Sequence, residues 1–242
     1  MVYFPDNWAE SGECSPVVQI ILNLISGLGW VTVYILCIYL GFKYKTYCIP
    51  WISLCMNYAW ELYFAVAPKK YDKQTPWHRA VAIVWSVIDT IIVIQLIIYG
   101  YKYVQSSMSK LVFYANIVFV FSSALSFIIL FNENFDPVGA YSAFGDNYLM
   151  SILFIKMFYD RRKYKNDQGQ SIYIAICKCI GTLGASITWG VCQGYDDPVI
   201  VYMYVMITLL DLTYIGMMVF QKCFGTSNIK DDDDTDPDDT KL

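Results

Sequence analysis

Charge is scarce in this sequence. Asp, Glu, Lys and Arg make up 16% of its 242 residues, against about 25% in an ordinary soluble domain. Much of the surface therefore does not meet water, and the apolar runs leave no room for a separate soluble domain. Histidine is scarcer still. The single His78 and a scatter of carboxylates do not make a metal cluster. Eight cysteines are present, but Cys177 and Cys179 lack further ligands and no zinc-type spacing occurs. Most of the cysteines sit in apolar runs, where they behave as small hydrophobes. Residues 1–16 are polar and acidic rather than basic, so no cleavable signal peptide is expected. No fixed-period repeat is visible.

What the sequence does have is apolar length. Hydrophobic residues reach 57% and aromatics 17%. Seven runs, about 17–41, 48–67, 77–101, 111–131, 138–159, 171–192 and 198–221, are each bounded by charges, Pro or Asn/Gly/Asp clusters. A bilayer is crossed by roughly 20 apolar residues, and lipid leaves backbone polar groups no partner outside a helix or closed barrel. The reading is an all-α polytopic membrane protein with seven transmembrane helices. Residues 1–222 form its one domain, and 223–242 form an acidic disordered tail. The tail from Asp231 to Leu242 holds seven Asp and one Lys, so the formal charge of −4 hides a weakly basic remainder. Its Asp run formally matches a D-x-D-D acid motif and a D-D-x-x-D metal motif of soluble enzymes, but it has no apolar residues with which to build a pocket.

Basic residues orient the spans. With the N-terminus outside, the inner segments hold eleven Lys and Arg, and the outer ones hold four: Lys69, Lys70, Lys73 and Arg79. The positive-inside rule then places the N-terminus on the lumenal or extracellular side and the C-terminus in the cytoplasm, although the loop at 68–76 pulls the other way. Cys14 and Cys192 fall on the same outer side and are expected to stay unpaired, since sequence does not establish the Cα approach a disulfide needs. Gly181 and Gly184, with Gly190 further on, mark helix six for close packing.

An ionisable group inside a span costs roughly 2.5–3.5 kcal/mol on insertion scales, so each one is a functional candidate. Six occur: Glu61, Asp89, Asp146, Lys156, Lys178 and Asp211. Glu61 has Asn57 one turn earlier on its own face, where an amide can bond the carboxyl, and Trp60 and Tyr63 lie beside it. Asp211 shares its face with Tyr204, Ile207, Tyr214 and Ile215. Either acid can instead be a neutral group hydrogen-bonded between helices. Asp89 lies on a stripe with Ser86, Trp85, Ala82 and His78 and suits a direct or a supporting role. Asp146 and Asn147 line a pocket mouth or face other helices. Lys156 and Lys178 are expected to snorkel, with pairing to a carboxylate the alternative for Lys178. Trp60, Trp85 and Trp189 read as too deep for an interfacial belt. They pack ordinarily or form ring faces that stabilise a cation.

A carboxyl desolvated in an apolar pocket keeps its proton at neutral pH and can act as an acid. Aromatic walls tolerate a carbocation without quenching it. This combination suits protonation of an epoxide or alkene followed by ring closure. It equally suits a proton-coupled small-molecule transporter, though neither related halves nor paired helix breaks are visible.

Five stretches carry a resemblance: GLGWVTVY (27–34), KTYCIPWISLCMNYAWELYFA (45–65), WHRAVAIVWSVIDT (77–90), GDNYLMSILFI (145–155) and TLLDLTYIG (208–216). In order and spacing the chain resembles the fungal integral-membrane terpene cyclases of indole-diterpene and meroterpenoid biosynthesis, the paxilline and pyripyropene type. The resemblance implies a seven-helix cyclase that uses no metal or other cofactor and protonates a terminal epoxide. The substrate class it implies is a farnesyl or geranylgeranyl chain on an aromatic or indole head. A pathway epoxidase and prenyltransferase are the implied partners beside the lipid bilayer, with no nucleic acid. An endoplasmic reticulum location follows from the same source. The family's A-W-E and L-D acids carry over to Glu61, the expected proton donor, and Asp211, which assists. Asn57, Trp60, Tyr63, Trp85, Asp89, Asp146, Trp189 and Tyr214 are the expected substrate-binding positions.

Overall fold

The computed structural model describes residues 14–67, 76–163 and 168–224. The acidic run from Asp231 and the lysines of the 68–75 segment lie outside the described residues. Seven α-helices follow in chain order: α1 (Pro16–Tyr44), α2 (Trp51–Val66), α3 (Pro76–Tyr99), α4 (Lys110–Asn134), α5 (Ala140–Lys163), α6 (Ile172–Ile187) and α7 (Pro198–Phe224). A 3-10 turn, Gly100–Tyr103, extends α3, and a wide i→i+5 turn, Thr188–Cys192, extends α6. With these extensions, α1, α3, α4, α6 and α7 are long and apolar enough to cross a membrane. α2 has 16 residues, below the roughly 20 of a full span. α5 carries Lys156, Asp160, Arg161 and Arg162 in its last turns.

The helices begin where their caps dictate. Ser15 Oγ accepts from the amide of Val18, with Pro16 in the first turn of α1. Ser109 caps α4 through Val112 N, and Ser171 caps α6 through Tyr173 N. Asp136 serves the start of α5, taking the amides of Gly139, Ala140 and Ser142 at 2.9–3.1 Å. Burial pushes its carboxyl up to about 6 against these donors.

Contacts close a circuit in the order α1, α6, α7, α5, α2, α3 and back to α1, with α4 packed on α2 from outside. α1 and α6 approach closely because glycine faces glycine. A Cβ on Gly29 would lie 2.7 Å from the Cα of Gly181, and one on Gly184 would lie 3.0 Å from Leu22 O. Large apolar side chains such as Ile35, Val87, Phe119 and Leu212 remain exposed on the outer surface, as a lipid-facing bundle requires.

Two expectations are corrected here. Cys14 and Cys192 form a disulfide, with Cα atoms 4.9 Å apart, because the close α1–α6 contact brings the start of one helix to the end of the other. Lys178 does not snorkel. It is 1% exposed and its Nζ lies 2.8 Å from Asp211 Oδ1, since its position on α6 faces the bundle interior rather than an interface. Lys156 does reach the surface, where it pairs with Asp160 one turn on.

Candidate active site

A cavity of about 450 Å³ lies within the bundle, in the half that holds the Cys14–Cys192 bridge. Its size is in the range of small-molecule sites, roughly 300–1,000 Å³. α1, α2, α3, α5 and the end of α6 supply its lining, together with the loop that enters α5. Among the described residues α7 supplies none. The walls are largely aromatic, with Trp30, Trp60, Trp85, Phe144 and Trp189 around the space. Trp60 is aimed by its Nε1, which donates to Ser142 Oγ at 3.0 Å and Gly139 O at 3.3 Å. Gly139 has φ +81°, and a Cβ there would meet the Phe64 ring at 2.4 Å, so this turn requires glycine. Trp189 stands in the wide turn at the end of α6, with His78 at a ring distance of 5.9 Å. That turn carries it onto the cavity.

Glu61 is the acid on this wall. Its side chain is 1% exposed. Tyr34 donates to its Oε1 at 2.6 Å, and Asn57 Nδ2 donates to the same oxygen at 2.9 Å. The expected i to i+4 pairing of Asn57 with Glu61 is therefore present. The same amide reaches Asp89 Oδ2 at 2.8 Å. Asp89 is fully buried and stands behind Asn57, off the cavity lining. Tyr34 was not among the expected site residues. It falls in the GLGWVTVY stretch, but nothing local links it to an acid 27 residues away.

Asp146 and Asn147 line the cavity from α5. Asn147 donates to Thr182 Oγ1 at 3.0 Å, while Asp146 Oδ1 has no hydrogen-bond partner among the described residues. Three further expected positions lie off the lining, as Asp89 does. Asp211 accepts from Lys178 at 2.8 and 3.0 Å and from Ser151 at 2.8 Å, a buried knot joining α5, α6 and α7. Tyr214 packs between Phe154 and Phe158. Tyr63 packs edge-on against Phe64. None of the three lines the cavity. Asp211 was expected there as the acid of the L-D motif, Tyr214 as a residue on its face and Tyr63 as a neighbour of Glu61, but a helix has more than one buried face.

The cavity also reaches the outer surface between α1 and α3. Leu24 and Leu28 on one side, and Trp77 and Val84 on the other, line it while remaining more than half exposed. At Gly27, in the same gap, an added Cβ would meet nothing within 4 Å.

The chain belongs to the Pyr4-like transmembrane terpene cyclases, whose sequence profile it matches over residues 9–222. It is similar to the Pyr4-family terpene cyclase mfmH of Annulohypoxylon moriforme, with 26% identity over 206 residues, 80% of this chain and 82% of that protein. It is also similar to terpene cyclase andB of Emericella variicolor, with 33% identity over 94 residues, 35% of this chain and 39% of that protein. Terpene cyclase pyr4 of Aspergillus fumigatus is 29% identical over 90 residues, 35% of this chain and 36% of that protein. The matched region thus spans less than half the length of the last two relatives. No solved structure matches the chain.

Proposed function

We propose that this protein is a membrane-embedded terpene cyclase that protonates the terminal epoxide of a prenylated aromatic or indole compound and guides cationic ring closure. The observation that carries the reading is Glu61: a buried acid on a cavity wall rich in aromatic rings, held by Tyr34 and Asn57 and, among the described residues, not by a cation. An ionised carboxylate is costly to bury without a positive partner, so such a pocket favours the neutral acid. Glu61 gives its proton to the epoxide oxygen. One epoxide C–O bond opens, and the alkenes of the prenyl chain close on the resulting cation in turn. The rings of Trp30, Trp60 and Trp85 supply faces that stabilise each cation as it forms. Loss of a proton from the last cation gives a product of unchanged mass.

Asp211 contributes from a distance. Its bond with Lys178 fixes α5, α6 and α7 behind the cavity wall, and Lys178 Nζ lies 5.8 Å from the ring centroid of Trp30. The substrate enters from the bilayer through the gap between α1 and α3. Disulfides form in oxidising compartments, so the Cys14–Cys192 bridge supports a lumenal N-terminus and cavity half, in the endoplasmic reticulum.

The test is a product assay. Membranes carrying the protein are incubated with epoxidised prenyl-aromatic and prenyl-indole compounds, and extracts are analysed by mass spectrometry and NMR. An isomer with new rings is expected, absent from Glu61→Gln membranes. Normal cyclisation by Glu61→Gln would remove Glu61 as the donor. Movement of intact compounds across vesicles, with no new product, would favour a carrier.

A further inference from the structure

The hydrogen bonds around Glu61 are unevenly distributed. Oε1 receives both donors, Tyr34 Oη and Asn57 Nδ2. On Asp89, Oδ2 receives the other arm of the Asn57 amide. The remaining oxygens, Glu61 Oε2 and Asp89 Oδ1, are buried and have no partner among the described residues. Both carboxyls meet at the one Asn57 nitrogen, which lies 2.9 Å from Glu61 Oε1 and 2.8 Å from Asp89 Oδ2. Two carboxylates cannot hydrogen-bond, because each offers acceptors alone. A proton on each supplies the donors that two carboxylates lack.

We propose that Asp89 is the protonated partner of Glu61, each carboxyl holding its own proton, and that the acid of this protein is the pair, bridged by Asn57. The inference rests on the reading of Glu61 as proton donor and makes Asp89 a positioning residue, since it does not touch the cavity. The pair explains how an acid so deeply buried lets go of its proton. As the Glu61 O–H bond breaks and the epoxide oxygen gains the proton, a carboxylate is left in an apolar wall. Asp89, still protonated, donates to that carboxylate, as Tyr34 and Asn57 do. Hydrogen bonds to the charged form favour it, and a donor already in place needs no reorganisation. The proton lost from the last cation then restores Glu61.

Infrared difference spectroscopy of the full-length protein in lipid membranes tests this without a substrate. A protonated carboxyl gives a C=O band that shifts in heavy water. The wild type is expected to show such a band, lost in Glu61→Gln. In Asp89→Asn the Glu61 band moves to higher wavenumber, because a carboxyl partner is replaced by a weaker amide. Asn57→Ser removes the bridge without touching either carboxyl and is expected to move the same band, which keeps the test open if Asp89→Asn does not fold. With the cyclisation substrate, Asp89→Asn lowers kcat and leaves KM in place. A Glu61 band that stays put in both variants overturns the pairing with Asp89 while leaving Glu61 as donor. Absence of any band sensitive to Glu61→Gln overturns both.

Discussion

Glu61 and Asp211 are the same kind of residue in the same kind of place, each a buried acid inside an apolar helix, and the bundle uses them differently. Glu61 meets a phenol and an amide on the wall of a cavity. Asp211 meets an ammonium and a hydroxyl, away from the cavity. The difference teaches that the partner decides the role. An acid with a buried cation is neutralised by pairing and its energy goes into holding helices together. An acid without one keeps its proton and has it to give.

The largest expected contrast is in catalysis. Glu61→Gln should lower the cyclisation rate by about 10²–10⁴-fold, the usual contribution of a general acid, with the protein still folded and its disulfide formed. A folded variant that keeps its rate would break the comparison. Asp211→Asn and Lys178→Met should act on stability. Removing one member of a buried pair costs about 3–5 kcal/mol, read as a fall in thermal midpoint and folded yield. Replacing both with apolar residues should recover much of that loss. A double variant no more stable than either single would show that the pair does not act as a unit. Gly27→Trp should leave the midpoint unchanged, because the added side chain enters open space. It should reduce kcat/KM about tenfold, roughly 1.4 kcal/mol, by narrowing the gap between α1 and α3. An unaltered kcat/KM would place the entry route elsewhere. Tyr214→Phe is the smallest. Tyr214 packs on Phe154 and Phe158 beside Asp211 and its hydroxyl has no partner among the described residues, so activity should stay within about twofold, less than 0.5 kcal/mol. A larger loss would return Tyr214 to the site.

The helices were legible because lipid demands length and apolarity, and these are local properties. The Asn57–Glu61 pairing was legible for the same reason: one helical turn separates the two. What sequence withheld depends on which faces meet. Tyr34 reaches Glu61 from another helix, Lys178 and Asp211 are 33 residues apart, and Cys14 and Cys192 are 178 apart. Helical period says that a residue has a face but not what that face touches. The glycines of α6 come nearest to a legible long-range contact, since small residues mark a close approach without naming the partner.

The wide turn at Thr188–Cys192 has a consequence for how such a chain tolerates change in length. It accommodates the backbone that a regular α-helical ladder would not, and both Trp189 and Cys192 lie within it. Deleting one residue here would shift everything beyond it by about 100° around the axis. The cavity would lose the placement of Trp189 relative to Cys192, and Cys192 would turn away from Cys14. At this end of the helix the number of residues carries information of its own, and an indel is a more drastic mutation than any single exchange of side chains.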